Sequence, residues 1–257
     1  MAAVTYDSPA ILKSFAERRA ISYPLLADEG SKVIRAFGIL NENIPKDNPV
    51  YGVPFPVTYM LDGRGRVKSK YFEEDYRERI SAANIMVREF SEGGIAGTEI
   101  QAKHLKLRLS ASNPSVYVGS RVMLMLDLAL PPKMHVYAPD VKGYLPVDWT
   151  MKESKGWLSL PATYPAAKRV ELPAIGETVP VFEGNVRLRR DLVVGQTAEL
   201  KAVTEPGGTI TVEGSFRYQA CDDKLCYIPE TVPLKWTLPV APLDSERAPK
   251  ELRKAFP

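Results

Sequence analysis

The segment Tyr218–Thr231, with the sequence YQACDDKLCYIPET, contains both cysteines of this 257-residue chain. Four residues separate Cys221 from Cys226. The run before the cysteines, Thr209–Tyr218, and the run after them, Thr231–Leu238, alternate apolar and polar residues, which predicts two strands. The residues between the cysteines are typical of a turn. We therefore expect a β-hairpin whose end brings the two Cα atoms to disulfide distance, roughly 4.4–6.8 Å.

Two chemical interpretations of this cysteine pair stay open at this point. A disulfide that closes so short a loop contributes only on the order of 2 kcal/mol through chain entropy. A chain of this length also buries a sufficient core without it. Both arguments favour a redox-active dithiol over a structural staple. A structural zinc site needs four ligands, and His104 and His135 are the only histidines, so we predict no metal and no cofactor.

The residues around the cysteines resemble those of the N-terminal domain family of the thiol:disulfide interchange protein DsbD. That family carries Tyr-Gln-x-Cys, a short spacer, and Cys-Tyr-x-Pro-Glu-Thr. The matching runs here are Tyr218–Cys221 and Cys226–Thr231. The resemblance implies that Cys226 exchanges with a thioredoxin-fold redox protein, that Cys221 resolves the mixed disulfide, and that Tyr227 contributes to the binding surface.

Two upstream segments extend the resemblance. Met134–Pro139 (MHVYAP) is similar to an early strand of the family that places aromatic residues beside the disulfide, which makes Tyr137 a wall of the site. Pro180–Gly184 (PVFEG) is similar to the cap loop of the family, which makes Phe182 the residue that shields the cysteines until a partner arrives. For each aromatic residue, ordinary core packing is the alternative.

The first part of the chain has the strand and helix signals of an α/β domain. Its apolar residues recur at helical spacing in some segments and form short continuous runs in others. The predicted elements are a strand over Ala2–Tyr6, a helix begun by Ser8 and Pro9, a short helix capped by Ser31, strands over Val57–Leu61 and Val67–Phe72, and a helix over Asp75–Phe90.

This part resembles a thioredoxin-fold peroxiredoxin of the AhpC/TSA type. The matching phrases are Val4–Ser8, Tyr23–Asp28, Ser31–Ile39 and Pro56–Asp62. The resemblance makes Pro56 a candidate for a cis peptide bond, whereas the sequence alone favours the trans form. The reactive cysteine of these proteins lies on a first strand–helix unit that would precede Ala2, so we expect an N-terminally shortened chain without a peroxide-reducing thiol. A strand edge left open by the missing unit predicts a homodimer, which a strict monomer in light scattering would contradict.

Short strands separated by proline and glycine follow a glycine-rich linker at Gly93–Gly97. Their regular spacing predicts a β-sandwich, and the DsbD resemblance implies an immunoglobulin-like one. Ala198–Val203 is one of the predicted strands. The predicted organisation is a thioredoxin-like α/β domain at 1–97 that lacks its first strand–helix unit, an all-β sandwich at 98–241, and a loosely held tail at 242–257.

Composition restricts the function classes. Lysine and arginine number 34 against 31 acidic residues, and the basic residues are scattered, so we predict no nucleic-acid partner. No apolar run approaches the ~20 residues needed to cross a membrane, and no signal peptide is visible. The DsbD resemblance implies a periplasmic or other extracytoplasmic location, and a cytoplasmic location is the alternative.

Three functions follow from these observations. The first is a thiol–disulfide redox protein that exchanges electrons through Cys221 and Cys226 and is linked to antioxidant, peroxiredoxin-type chemistry elsewhere in a full-length protein. The second is a non-catalytic docking module with a structural disulfide and a degenerate redoxin scaffold. The third is a thioredoxin-fold chaperone that works without cysteines. The reduction potential of the cysteine pair distinguishes the first two.

Overall fold

Strands dominate the computed structural model, which describes residues 1–48, 50–75, 77–91, 93–172, 176–242 and 246–252. The α-helices of these residues are Pro9–Arg18 (α1), Lys32–Ala36 (α2), Ala82–Phe90 (α3) and Thr197–Val203 (α4). The strands up to α3 are Ala3–Thr5 (β1), Leu25–Ala27 (β2), Val57–Leu61 (β3), Val67–Phe72 (β4) and Arg79–Ile80 (β5). The chain divides into two compact units, Met1–Arg79 with 244–257, and Ile80–Leu243.

The later strands build the second unit. They are Ile95–Gln101 (β6), Lys106–Ala111 (β7), Ser120–Ala129 (β8), His135–Tyr137 (β9), Asp148–Met151 (β10), Trp157–Ser159 (β11), Lys168–Leu172 (β12), Glu177–Glu183 (β13), Asn185–Val194 (β14), Thr209–Tyr218 (β15), Ala220–Cys221 (β16) and Glu230–Pro239 (β17). The two strands predicted around the cysteines are confirmed as β15 and β17.

In the first unit, β1 pairs with β2 in parallel and β3 pairs with β4 antiparallel, which gives two separate two-stranded sheets. Ser8 caps α1 as predicted, since its Oγ accepts a hydrogen bond from Ile11 N at 3.4 Å. The predicted cap at Ser31 is wrong. The Asp28 carboxylate accepts from the first backbone N–H groups of α2, at Lys32 (2.9 Å) and Ile34 (2.8 Å), because it lies directly beneath them.

The first unit buries little apolar surface. Among its described residues, the buried hydrophobic side chains are Leu12, Ile34 and Leu40. Several apolar side chains of its strands are exposed instead, including Leu26 (49%) and Leu61 (55%). Two-stranded sheets have marginal stability by themselves, so this unit depends on its helices and turns for its order.

The predicted cis peptide bond at Pro56 is wrong. No cis peptide bond occurs in the described part of the chain. The trans form of an X–Pro bond is favoured intrinsically by about 0.5–1 kcal/mol. In this form the Pro56 carbonyl accepts a hydrogen bond from Glu73 N at 3.1 Å, which continues the β3–β4 ladder.

Two sheets form the core of the second unit and confirm the predicted β-sandwich. One contains β10, β15 and β17, and the other runs β11-β14-β8-β7-β6. Alternate residues of both sheets enter one apolar cluster, in which Trp149 and Trp236 stack with ring centroids 5.8 Å apart. A further sheet, in the order β12-β13-β9-β16, carries Cys221 at its edge.

The strand predicted at Ala198–Val203 is wrong, because these residues belong to α4. Gln196 N donates to the Glu199 carboxylate at 2.7 Å, which satisfies a donor at the start of the helix. Leu200 is buried and anchors the helix on the sandwich core. The segment therefore forms a helix that buries one apolar face, although its short apolar pattern resembles that of the neighbouring strands.

The predicted helix over Asp75–Phe90 is confirmed only from Ala82, because Ser81 caps it by accepting from Asn84 N at 3.0 Å; residue 76 lies outside the described residues. Helix α3 packs on the sandwich, since Val87 is fully buried against Met123 and Met125.

An ion pair also holds α3 to the sandwich, since Arg88 lies 2.5 Å from the Asp191 carboxylate. The compact units therefore divide before α3, at Arg79, whereas the sequence placed a domain boundary after residue 97.

Gly97 lies within β6, where a Cβ atom would come within 1.2 Å of the Leu109 carbonyl oxygen. In the predicted tail, Glu246 pairs with Arg18 at 2.9 Å, and residues 243–245 and 253–257 lie outside the described residues.

Replacing Val87 by aspartate should lower the free energy of unfolding by about 3 kcal/mol or more, because the carboxylate would be buried without a partner. The matched control is Met86→Asp, one residue earlier on α3, where the side chain is 45% exposed and the expected loss is about 0.5 kcal/mol. Denaturant unfolding measures both. Equal losses would show that α3 does not pack on the sandwich.

Candidate functional site

The cysteines lie where the hairpin leaves its own sheet. The β15–β17 ladder ends at the pair Tyr218–Glu230, and the chain then joins β9, with Cys221 opposite His135. Cys221 and Cys226 face each other across an antiparallel bridge and form a disulfide with Cα atoms 4.0 Å apart. Backbone hydrogen bonds on both sides of the pair hold this geometry, Asp222 N to Leu225 O and Tyr227 N to Ala220 O.

The two sulfur-bearing residues differ sharply in exposure. Cys221 is 1% exposed, because its side chain packs in a small cluster with Tyr137, Val179 and Val181, whereas Cys226 at the far end of the turn is exposed. Apolar side chains flank Cys226, with Leu225 52% and Ile228 87% exposed. An attacking thiolate has to reach the sulfur directly. Of the two cysteines, only Cys226 therefore presents itself to a second protein.

Four of the motif residues around the cysteines restrain the hairpin through their side chains or backbone. The Tyr218 hydroxyl donates to the Glu230 carboxylate at 2.5 Å, and the Gln219 side-chain amide donates to Tyr227 O at 3.0 Å. The Tyr227 hydroxyl donates to the Asp222 carboxylate at 2.8 Å. These bonds cross the hairpin below and beside the disulfide. The motif is thus a set of restraints that hold Cys226 at the surface.

The turn between the cysteines carries a fixed negative charge. The backbone N–H groups of Leu225 and Lys224 donate to the Asp222 carboxylate at 3.0 and 2.8 Å. Together with the Tyr227 hydroxyl, they hold the pKa of Asp222 below its usual range. The same bond raises the pKa of the Tyr227 hydroxyl, which remains protonated. Asp222 is therefore ionised, and its charge opposes thiolate formation at Cys226.

Tyr137, which the family resemblance implied as a wall of the site, lies beside the disulfide. Its side chain is 2% exposed, and its hydroxyl lies 3.6 Å from Cys226 Sγ. Because a disulfide sulfur carries no proton, the hydroxyl is the donor in this contact. Burial raises the pKa of Tyr137, and the Glu177 carboxylate raises it further. The protonated hydroxyl is suited to stabilise negative charge on Cys226 when the disulfide opens.

Phe182 does not reach the disulfide, and its prediction as the cap is corrected here. In the sheet register it lies in one row with Val136 and Ala220, and all three enter the sandwich core. Cys221 lies one residue further along, so its side chain occupies the opposite face. Phe182 is 3% exposed and stacks with Tyr164. Core packing, the alternative that the sequence left open, describes it.

Tyr144 covers the disulfide side of the sheet, and sequence reasoning missed it. Its ring stacks on Tyr137 with centroids 4.6 Å apart, and its hydroxyl donates to Glu177 at 2.9 Å. With Val141 it packs on the cluster that contains Tyr137 and Cys221. It follows β9 in a loop without periodicity, so no local pattern distinguishes it. His135, also missed as a site residue, had a signal, since alternation puts it on the same strand face as Tyr137.

The described residues contain no cluster of three or more histidine, cysteine or acidic side chains suited to hold a metal ion. Among the helices described above, none is long and apolar enough to span a bilayer.

Comparison with known families agrees with this geometry. The family model described as thiol:disulfide interchange protein DsbD, N-terminal, matches residues 105–236, and the chain belongs to this family. A second model, that of the AhpC/TSA family, matches residues 1–70, so the N-terminal part is similar to these redoxins. The two matches and the disulfide-bonded pair together indicate a thiol–disulfide redox function. No curated protein matches the chain.

Two solved structures align with parts of this chain. The N-terminal periplasmic domain of ScsB from Proteus mirabilis aligns at 15% identity over 62% of this chain, with a TM-score of 0.42. This chain spans 55% of the length of that domain. The reduced DsbD N-terminal domain of Neisseria meningitidis aligns at 11% identity over 44% of this chain and 75% of that one, with a TM-score of 0.31.

Tyr144→Ala should accelerate reduction of the disulfide by dithiothreitol several-fold, because its ring covers Tyr137 on the disulfide side. Since Tyr144 is only half-buried, the free energy of unfolding should fall by no more than about 1.5 kcal/mol. The control is Phe182→Leu, which should cost about 1–2 kcal/mol in the core and leave the reduction rate of the folded protein unchanged. The reverse pattern of rates would restore Phe182 as the cap.

Proposed function

We propose that this chain is a thiol–disulfide exchange protein in which Cys226 forms a mixed disulfide with a thioredoxin-fold partner and Cys221 resolves it. The observation that carries the proposal is the unequal exposure of two bonded cysteines, 1% at Cys221 against an exposed Cys226. A staple has no need of one accessible sulfur, whereas exchange requires it. Membership of the DsbD N-terminal family supports a partner of the thioredoxin fold.

The exchange conserves electrons between the two proteins. A partner thiolate attacks Cys226 Sγ, the Cys221–Cys226 bond breaks, and Cys221 leaves as a thiolate that takes up a proton. A second thiol of the partner then attacks the partner sulfur that is bonded to Cys226. This forms a disulfide within the partner and releases Cys226. The partner is oxidised to a disulfide and this chain is reduced to a dithiol; the reverse sequence oxidises this chain.

For the N-terminal unit, we propose a redoxin scaffold without chemistry of its own. Its likeness to the AhpC/TSA family supports a thioredoxin-like fold, and it contains no cysteine. Peroxide reduction would then belong to another part of a longer protein. The open edges of its two-stranded sheets support the predicted homodimer, which light scattering tests.

We also propose an extracytoplasmic location. A disulfide between the two cysteines persists in an oxidising compartment, and the DsbD family assignment points the same way. The similar ScsB domain is described as periplasmic. A cytoplasmic location remains the alternative, and fractionation of the native host separates the two.

The reduction potential of the Cys221–Cys226 pair decides between exchange and a docking module with a structural bridge. We expect a value between roughly −270 and −120 mV, the range of exchange proteins, after equilibration with glutathione buffers and thiol trapping. A value below about −300 mV would mark a structural disulfide and favour the docking module.

A trapping experiment tests the roles of the two sulfurs. In Cys221→Ser, Cys226 activated as its thionitrobenzoate disulfide should capture a thioredoxin whose resolving cysteine is serine, as a stable mixed disulfide seen by mass spectrometry. The matched control is Cys226→Ser, in which the buried Cys221 should capture little or none. Equal capture by both variants would remove the asymmetry on which the proposal depends.

A further inference from the structure

His135 is the histidine that the sheet places against the disulfide. It lies in β9 directly opposite Cys221 in the antiparallel register. Residues paired in this way point to one face, with Cβ atoms roughly 4.5–5.5 Å apart. The side chain is 6% exposed, and its ring meets that of Tyr137 edge-on at 5.5 Å. The side chains of His135 and Cys221 are therefore neighbours on one face of the sheet, and both are buried.

The Nε2 atom of His135 is buried and has no hydrogen-bond partner in the described structure. A buried polar atom without a partner costs about 1–3 kcal/mol, so its presence calls for an explanation. With the disulfide closed, Cys221 carries no proton to donate. Opening the disulfide creates an S–H group on the residue that faces the imidazole. In the Nδ1–H tautomer of His135, Nε2 is an acceptor that lacks a donor in the oxidised state and gains one in the reduced state.

We propose that His135 Nε2 is the proton acceptor for the Cys221 thiol during resolution of the mixed disulfide on Cys226. The inference rests on the proposed function. The Cys221 thiol transfers its proton to Nε2, its sulfur bonds to Cys226 Sγ, and the bond from Cys226 to the partner breaks. The electron pair of that bond leaves with the partner sulfur as a thiolate. In the reverse direction the imidazolium returns the proton to Cys221 as it leaves.

The groups around His135 keep its imidazole in the accepting form near neutral pH. Burial lowers the pKa of His135, whereas nearby carboxylates oppose this shift. Cations engage two of these carboxylates, with Lys168 at 2.6 Å from Glu183 and Lys133 at 3.8 Å from Asp223. The titratable or charged groups that face the imidazole are Tyr137 on its own strand, Glu183 on β13, and Asp222 and Asp223 in the cysteine turn.

Tyr137 does not compete for this role. Its hydroxyl contacts the other sulfur, Cys226 Sγ, and its raised pKa keeps it protonated. The site therefore divides two tasks between two strand residues. Tyr137 donates a hydrogen bond towards the exposed sulfur, and His135 accepts a proton from the buried one.

Ellman's reagent isolates the resolving step without any partner protein. In the reduced chain, exposed Cys226 attacks the reagent in a bimolecular phase and releases one thionitrobenzoate. Cys221 then attacks Cys226 Sγ in an intramolecular phase and releases the second. In wild type the rate of the second phase should stay constant near neutral pH. It should fall at a pH below about 6.5, where the imidazole is protonated and accepts no proton.

His135→Gln should slow the second phase by on the order of 100-fold near neutral pH, the usual contribution of a positioned base, and leave the first phase unchanged. Its rate should then rise with pH towards the ordinary thiol pKa of about 8.5. His135→Phe should behave alike. His104→Gln removes a ring that stacks on Tyr227 but no group paired with Cys221, so it should keep the wild-type pH profile of the second phase. A second phase in His135→Gln with the wild-type rate and pH profile would overturn the proposal.

The wild-type profile is a test by itself if the variants fail to fold. A common pH inflection in both phases of the wild-type reaction would contradict a base that serves Cys221 alone. Failure of the proposed function is distinguishable from failure of this inference. If Cys226 fails to trap a thioredoxin but His135→Gln still slows the second phase, the proposed function is wrong and the proton acceptor is not. If Cys226 traps a thioredoxin but His135→Gln leaves the second phase unchanged, only the proton acceptor is wrong.

Discussion

The pairing of Ala220–Cys221 with β9 is the interaction on which the site depends. The hairpin strands β15 and β17 form a regular ladder, and the chain leaves it just before the first cysteine to join another sheet. This change of sheet buries Cys221 and orients its side chain away from the sandwich core. Cys226 has no such pairing beyond its bridge to Cys221 and stays at the surface. The pairing of β16 with β9 thus gives two cysteines of the same chemistry very different solvent exposure.

The surroundings of the two sulfurs differ. Near Cys226, the fixed carboxylate of Asp222 disfavours a thiolate, and the hydroxyl of Tyr137 favours one. Near Cys221 there is a neutral acceptor and little water. Such a site does not rely on a strongly acidic thiol. The base proposed beside Cys221 would remove the proton at the moment of attack, and it would then matter more than a charged residue in the turn.

Local patterns predicted the β-sandwich and several of its strands. Alternation located β15 and β17, and the capping serine located α1, because these signals are contained within a few residues. The cap at Phe182 failed for a different reason. A resemblance gives a residue's identity but not the face it occupies, and one step along β13 separates the core from the disulfide side. Tyr144 approaches the site through a loop, which no periodicity describes.

The hairpin around the disulfide has restraints that are independent of the sulfur–sulfur bond. Closing a loop this short contributes only on the order of 2 kcal/mol, whereas the hairpin also has its full ladder and the bonds from Tyr218 to Glu230 and from Gln219 to Tyr227. None of these depends on the sulfur–sulfur bond. The hairpin is therefore expected to keep its shape when the bond opens, with Cys226 still exposed and Cys221 still against His135. A disulfide that the hairpin does not need for its shape can open and close in the proposed exchange without unfolding the site.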